Sequence, residues 1–422
     1  MADVPQQAPD EDAVKPREKV RPFASLAYPQ YRLMVTGFLV GFVGFQFRQV
    51  TNLWLVYDLT GNPIYLAGIG VFQFLPMIVF GVIGGALADA FDRRKLLIIT
   101  QLLNLVIAIV LAALVFTDEL VPWHLFATTF VTGAVNSFEG PARMTVIPRI
   151  VPRRLFINAI TINSSARHVA TLFGPIGAGA LIAVAGPGWT YAANAVFFIP
   201  SIYAFISMAP IPAEENKLGR PRMSAGSLLE GFKYVWSTHV IIALILMDLS
   251  AMLFGNWRAL LPVFAEDILS VGPTGFGIMV ASPAAGFLIG SAVLLWAGDF
   301  RRKGLVVVIT VAGYAIGMAL FSVSRTFLFS VALLVIIGGF DGVGAIVRQT
   351  VLQLRVPDEL RGRATAVLQL SNRGAPSLGF VVLGAMASPL GAGNALLIGA
   401  AITMMVTVSV SLLWREVIKD EG

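Results

Sequence analysis

The chain has 422 residues, of which 57% are hydrophobic and only 13% are charged, and its mean hydropathy is +0.80. Soluble domains carry about 25% charged residues, so this deficit along the whole length predicts a polytopic membrane protein. The net charge of +6 is then explained by the residues that orient membrane helices rather than by nucleic-acid binding. No cysteine is present and the three histidines are scattered, so no metal centre or other cofactor is predicted.

The first 22 residues are polar, mixed in charge and contain proline, which predicts a disordered cytoplasmic tail rather than a cleaved signal peptide. A spanning helix needs about 20 apolar residues, and the sequence predicts twelve of them before a short second tail at 415–422. The segments are 31–57, 64–88, 96–116, 123–147, 157–185, 189–208, 240–264, 275–297, 304–323, 327–350, 364–388 and 393–414.

One long polar stretch, 210–239, separates the sixth segment from the seventh. Within it, Ser227–Trp236 mixes apolar and polar residues at helical spacing, which predicts a helix lying in the membrane interface. The predicted fold is therefore all-α, with an N-terminal six-helix bundle at 23–209, a cytoplasmic linker and a C-terminal six-helix bundle at 240–414.

The distribution of lysine and arginine predicts the orientation. With the N-terminus inside, 25 of the 30 lie in the tails, in cytoplasmic loops or in the bordering helix turns, and only Arg325 lies in an outside loop. The outside loops instead carry acids, namely Asp118, Glu119, Glu266 and Asp267. Because positive residues collect on the cytoplasmic side, both termini are predicted to be cytoplasmic.

The two halves are related by an offset of 205 residues. The matched positions are Gly81 with Gly286, Gly85 with Gly290, Arg143 with Arg348, Val151-Pro152 with Val356-Pro357, and Gly174 with Gly379. Six helices is an even number, so the two halves run in the same direction. Parallel six-helix repeats predict a secondary transporter whose substrate site lies between the halves.

The loop after the second segment reads Gly-Ala-Leu-Ala-Asp-Ala-Phe-Asp-Arg-Arg-Lys over residues 85–95. It resembles the Gly-x-Leu-x-Asp-Arg-x-Gly-Arg-Arg/Lys loop of the major facilitator superfamily, with Ala90 and Asp92 departing from the pattern. Residues 54–61 and the Pro141–Arg143 turn are similar to the branch of enterobactin exporters and macrolide-efflux-like proteins. The resemblance implies a monomeric transporter in the bacterial inner membrane, with two parallel-repeat six-helix bundles and no enzymatic activity.

The resemblance also implies a conformational latch at the cytoplasmic face. Its residues are Gly85, Asp89, Arg93 and Arg143. In the family the aspartate caps the N-terminus of helix 11, a contact worth about 0.3–1 kcal/mol and up to ~2 kcal/mol when partly buried. Arg93 is expected to pair with Glu139, whereas Arg94 and Lys95 are expected mainly to set the topology.

The fifth segment is similar to the antiporter motif Gly-x-x-x-Gly-Pro-x-x-Gly-Gly. The residues that carry this similarity are Gly174, Pro175, Ala178 and Gly179. Proline bends a helix and small residues permit close approach of a neighbour, so an ordinary small-residue helix contact is the alternative. The family motif goes with exporters and favours outward transport.

Polar residues inside the apolar segments are the candidates for the substrate site, because an ionisable group at mid-bilayer costs about 2.5–3.5 kcal/mol. The predicted substrate-binding residues are Gln46, Arg48, Gln49, Asn52, Arg167, Asn372 and Arg373. The first four form a stripe over two turns of helix 1. The alternative for Arg48 is a permanent ion pair with Asp248 or another acid.

Proton coupling needs a carboxylate or histidine that responds to its surroundings. Asp248, Asp341 and Glu139 are the predicted coupling residues, ahead of His168, which is more easily explained as structural. Arg258 is expected near the outer end of helix 7. The sequence thus predicts a proton-coupled exporter of small amphiphilic molecules such as drugs, siderophores or metabolites, neutral or anionic rather than cationic. An importer or a lysolipid transporter of the same fold is the alternative.

Overall fold

The computed structural model describes residues 21–90, 92–210, 233, 236, 238–298 and 301–414. Within them it describes all side chains except those of 81–90, 141–142, 144–145, 358–359, 361–371 and 373. The helix predicted at Ser227–Trp236 therefore lies almost wholly outside the described residues. The predicted twelve-helix fold is confirmed. Across the described ranges, nine helices are long and apolar enough to cross a membrane.

The helices are numbered in chain order. They are α1 Pro29–Thr60, α2 Ile64–Ala90, α3 Arg93–Phe116, α4 Pro122–Ile150, α5 Phe156–Ala185, α6 Pro187–Ile206, α7 His239–Phe254, α8 Gly272–Ala297, α9 Lys303–Val323, α10 Phe327–Arg355, α11 Asp358–Leu390 and α12 Ala392–Leu413. Proline in the first turn starts α1, α4 and α6, where its missing N–H costs no hydrogen bond. Gly61, at φ 59°, ends α1 in the left-handed conformation.

Side-chain hydrogen bonds hold the charged loop after α2 in place. The Asp92 carboxylate accepts from the backbone N–H groups of Arg94 at 2.8 Å and Lys95 at 3.2 Å, and so caps α3. Arg94 donates to the carbonyl oxygens of Phe205, at 3.1 Å, and Ile206 at the C-terminal end of α6. The expectation that Arg94 mainly sets topology was therefore incomplete, since it also caps a neighbouring helix.

Equivalent helices pack in equivalent pairs in the two halves. α2 packs on α4 as α8 packs on α10, and α3 packs on α6 as α9 packs on α12. Gly174 of α5 lies against Gln46 of α1, and its repeat partner Gly379 of α11 lies against Asn256, directly after α7. The glycines matched in sequence thus mark the same helix contact in each half.

The two halves are in close contact at their predicted outer ends. α5 packs on α8 and α2 packs on α11. Trp54 of α1 packs on Phe276 of α8 with 5.5 Å between ring centroids. The Tyr57 hydroxyl donates to the Asp267 carboxylate, and together these contacts close the predicted outer face.

Helix 7 is not the continuous span predicted for 240–264. It breaks after Phe254, and a 3-10 turn at Trp257–Leu260, a short helical turn at Leu261–Val263 and a π-helical turn at Phe264–Ile268 follow. The break is held by two hydrogen bonds: Tyr314 Oη donates to Gly255 O at 2.7 Å, and Asn256 Nδ2 donates to Pro376 O at 2.6 Å. These bonds satisfy a polar backbone inside the membrane, which is the condition for an interrupted span.

Candidate functional site

A cavity of about 400 Å³ opens on the inner face of the N-terminal half. It runs from the level of Asn52 and Thr129 toward Phe38 and Arg143 at the predicted cytoplasmic side. The polar and charged residues that line it are Arg48, Gln49, Asn52, Gln73, Gln101, Asn104, Thr129, Thr132, Asn136, Ser137, Glu139, Arg143 and Arg167. With the predicted orientation, a cavity on this side beneath a closed outer face is an inward-facing arrangement.

Three arginines of the cavity each lie over a phenylalanine ring. The Arg143 guanidinium carbon is 3.7 Å from the centroid of Phe38, and that of Arg167 is 5.5 Å from Phe42. Arg48 lies 5.8 Å from Phe45. Such cation–π contacts hold a guanidinium against an apolar wall while leaving its edge available for hydrogen bonds. The wall of the cavity is therefore both aromatic and positively charged.

The polar stripe of α1 is anchored by three other helices. Arg48 Nη2 donates to Asn104 Oδ1 of α3 at 2.7 Å. Asn52 Oδ1 accepts from the Tyr191 hydroxyl of α6 at 2.7 Å, and Asn52 Nδ2 donates weakly to Thr129 of α4 at 3.5 Å. Arg48 and Asn52 are thus held in place at the cavity wall.

Gln49 and Gln46 have different surroundings, although both belong to the predicted stripe. Gln49 is exposed in the cavity. Gln46 is buried, is absent from the cavity lining and packs on Gly174 of α5, so its contact with substrate stays a prediction that this conformation does not support. Gln46 and Gln49 lie only about 60° apart around the helix axis. The difference therefore comes from packing, because Gly174 of α5 leaves room for the Gln46 side chain.

Glu139 is the acid of this cavity. Its carboxylate interacts with the Gln101 amide and electrostatically with Arg143, Arg167 and Arg48. One carboxylate among three guanidinium groups leaves the cavity net positive. Gln101 and Asn104 of α3 were not predicted as site residues, although uncharged polar residues within an apolar segment were an available signal.

The C-terminal half holds a buried ion pair between α7 and α10. Arg348 Nη2 lies 2.5 Å from Asp248 Oδ1, and both side chains are buried. Among the described residues Oδ1 accepts no hydrogen bond from an uncharged donor, so the Arg348 guanidinium is its partner. In this structure Arg48 and Asp248 each have a partner within their own half, so they do not pair with each other. The alternative of another acid stays a prediction, since Arg48 interacts electrostatically with Glu139. Arg348 was missed as a site residue, although its repeat match to Arg143 was visible.

Asp341 of α10 completes this cluster. It is half-buried and interacts electrostatically with Arg348, Asp248 and Arg258. Arg258 lies after the break in helix 7 and interacts electrostatically with Asp341 and with Tyr314 of α9. His168 stacks on Phe287 of α8 across the two halves, with 4.6 Å between centroids, which fits its structural interpretation.

The remaining predicted residues fall into two groups. Asn372 is exposed on α11 and is not part of the cavity lining, while Arg93 is buried at the start of α3. Gly85, Asp89 and Arg373 belong to the positions whose side-chain surroundings the structure does not describe. The cytoplasmic latch and the pairing of Arg93 with Glu139 stay predictions.

The predicted antiporter motif lies where α5 meets both α1 and α8. Gly174 faces α1, whereas Pro175 and Gly179 lie against Gly277 of α8, and Gly179 also lies against Pro273. Ala178 is fully buried. The motif thus contributes directly to the contact between the two halves.

Residues 20–420 match the transmembrane secretion effector family, which is nearly the whole chain. The chain belongs to this family. It is a transporter of the major facilitator type and not an enzyme. The chain is 23% identical over 356 residues to the enterobactin exporter EntS of Shigella boydii serotype 4 (strain Sb227), covering 83% of this chain and 82% of the relative. It is 23% identical over 324 residues to EntS of Escherichia coli O139:H28 (strain E24377A / ETEC), covering 76% of each.

Solved transporters have the same fold. A bacterial homologue of the human lysosomal transporter Spinster, in an inward-facing and unoccupied conformation, superposes with a TM-score of 0.72 at 12% identity over 94% of this chain and 98% of its own. The nucleoside transporter NupG superposes with a TM-score of 0.68 at 15% identity over 92% of this chain and 99% of its own. These transporters support the architecture, and such low identities carry no information about cargo.

The hydrogen bond between Tyr57 and Asp267 is predicted to act as a gate that holds the outer face closed. Tyr57→Phe is expected to shift the equilibrium about tenfold toward an open outer face, because one hydrogen bond to a carboxylate across the halves is lost. The chain has no cysteine, so spin labels can be attached at Val184→Cys and Thr274→Cys alone. Double electron–electron resonance between them then measures the distance between the outer ends of α5 and α8. Tyr65→Phe, an exposed tyrosine of α2, is the matched control. An unchanged distance distribution in Tyr57→Phe would contradict the gate.

Proposed function

We propose that the protein is a proton-coupled exporter, an antiporter, of small amphiphilic molecules that works by alternating access in the bacterial inner membrane with both termini in the cytoplasm. The observation that carries the proposal is the cavity in which Arg48, Arg143 and Arg167 lie over phenylalanine rings. Aromatic walls bind the apolar part of an amphiphile, and a few convergent polar groups orient it.

Outward transport is supported by two features of the chain. The antiporter-like residues Pro175 and Gly179 lie at the contact between the halves. Relatives over most of the chain are named enterobactin exporters. Siderophores, drugs and secreted metabolites are therefore the proposed cargo, and the proposed working unit is a monomer.

The proposed coupling residues are Asp248, Asp341 and Glu139. Each is a carboxylate that interacts with at least one arginine inside the bundle. Protonation of such a carboxylate removes its attraction for the guanidinium, so proton binding can release one helix from another. The latch residues are proposed to close the cytoplasmic face in the outward-facing state. They are Gly85, Asp89, Arg93 and Arg143.

The test is transport by the purified protein in proteoliposomes, with enterobactin and a panel of amphiphilic drugs, with and without a proton gradient. We expect transport in the export direction that stops when the gradient is dissipated. Asp341→Asn is expected to lower gradient-driven transport to the level of protein-free liposomes, while Glu119→Gln, an exposed acid of the α3–α4 loop, leaves it unchanged. Transport at the same rate with and without the proton gradient would overturn the proposed coupling. Gradient-driven transport in the import direction would favour the importer.

A further inference from the structure

Arg258 is a charged residue of the membrane interior to which no role is assigned above. It lies in the 3-10 turn directly after the break in helix 7. The hydrogen bonds that Gly255 accepts from Tyr314 and that Asn256 donates to Pro376 fix this turn between α9 and α11. The position of the guanidinium is therefore set by helices on both sides of the break.

The surroundings of Arg258 indicate the interior of the bundle rather than lipid. Its neighbours Trp257 and Ala259 are buried, and Arg258 itself is exposed. Its electrostatic partners Asp341 and Tyr314 belong to α10 and α9 of the bundle. Intramembrane charges face the bundle interior or a water-filled space rather than lipid, so an exposed guanidinium beside these partners is placed to meet a substrate.

The guanidinium of Arg258 retains its hydrogen-bonding capacity. Among the described residues it donates no hydrogen bond, and its stacking on Trp257, at 5.8 Å, uses only the face of the group. Asp248 is held by Arg348 at 2.5 Å, and Asp341 interacts with both Arg348 and Arg258, so Arg258 has no carboxylate to itself. Arginine offers five donors in a planar fork that matches a carboxylate or a phosphate.

Arg258 also lies immediately inside the closed outer gate. The turn Leu261–Val263, one helical turn further out, contacts α1, and the 3-10 turn itself contacts α2. Across the halves, α1 presents Gln49 and the anchored Arg48 to the N-terminal cavity. A molecule that touches Arg258 and this cavity would bridge the two halves beneath the gate.

We propose that Arg258 binds the anionic group of the substrate on the C-terminal half, and that the substrate is an aromatic or otherwise apolar anion whose acid is a carboxylate or a phosphate. The apolar part of the substrate rests on the phenylalanine-lined wall of the N-terminal cavity, and its anionic group reaches Arg258 in the 3-10 turn after α7. This assignment rests on the proposed transport of amphiphiles and narrows it to anions.

The test uses three fluorescent coumarins that share one ring and differ in one substituent: a carboxylate, a phosphonate and a carboxamide. Transport is measured with the full-length protein in proteoliposomes, and binding is measured from the quenching of tryptophan fluorescence in detergent. The variants are Arg258→Gln, Arg258→Lys and, as a matched control, Arg325→Gln in the exposed α9–α10 loop. Size-exclusion chromatography establishes that each variant is folded.

The wild type is expected to prefer the two anions, and Arg258→Gln is expected to raise their KM about 10- to 100-fold while leaving the carboxamide unchanged, because a charge-assisted hydrogen bond is lost. Arg258→Lys is expected to retain part of the preference. The arms with carboxylate and phosphonate identify which acid is favoured. Preserved anion preference in Arg258→Gln, or equal transport of all three compounds by the wild type, would overturn the role of Arg258 alone. Transport of none of them by the wild type would count against the proposed function itself.

Discussion

Arg348→Gln is expected to destabilise the folded protein by about 3–5 kcal/mol, because it leaves the Asp248 carboxylate charged and without a partner inside the bundle. Breaking a buried ion pair costs far more than the pair contributes over an apolar replacement. The measurement is equilibrium unfolding in mixed detergent micelles. Arg355→Gln, at the end of the same helix α10, is the control and is expected to change stability little.

Asp248→Asn is expected to be the milder of the two single changes. Arg348 keeps its electrostatic interaction with Asp341, so the remaining charge is still compensated. The double variant Asp248→Asn/Arg348→Gln is expected to recover much of the stability, since neither charge is then left alone.

The double variant also separates structure from coupling. If the pair serves proton coupling, the double variant folds but its transport rate no longer depends on the proton gradient. Restored stability together with intact coupling would mean that the pair is structural and that Asp341 or Glu139 carries the proton. A double variant as unstable as Arg348→Gln would contradict the compensation on which the energetic argument rests.

The twelve spans were predictable because the bilayer imposes a length and an apolar composition on each helix. The parallel repeat was also visible, and Gly174 and Gly379 make equivalent contacts in the structure. The break in helix 7 was not predicted. Gly255 is a weak signal by itself, and the hydrogen bonds that stabilise the break come from Tyr314 and Pro376, which are distant in sequence.

The charged residues of the site were found except for Arg348, but their partners were not. An intramembrane arginine is conspicuous in sequence, whereas its partner depends on how helices rotate against each other. Arg48 donates a hydrogen bond to Asn104, an uncharged residue of α3, and Asp248 pairs with Arg348 rather than with Arg48. Side-chain pairing across helices is a property of packing, which periodicity alone does not encode.

Gly277→Ala is expected to force the predicted outer face open. A Cβ at Gly277 would collide with the carbonyl oxygen of Pro175 and lie 3.0 Å from Gly179 Cα, so backbone rather than a flexible side chain must move. Overpacking of this kind costs about 1–3 kcal/mol. Because α5 and α8 belong to different halves, separation of their outer ends relieves the collision in the open state and not in the closed one.

The spin-label pair at Val184→Cys and Thr274→Cys measures this shift directly. With that cost, the ratio of closed to open outer face is expected to fall about 5- to 150-fold, and a longer distance should replace the short one. Gly339→Ala is the control, because its nearest neighbour, the Gly286 carbonyl oxygen at 3.4 Å, is at ordinary contact distance. Alternating access needs both faces to close in turn, so a protein held open at one face should also lose most of its transport. If Gly277→Ala instead keeps the short distance and full transport, then α5 and α8 tolerate separation locally and the gate depends on α1, α2 and their partners.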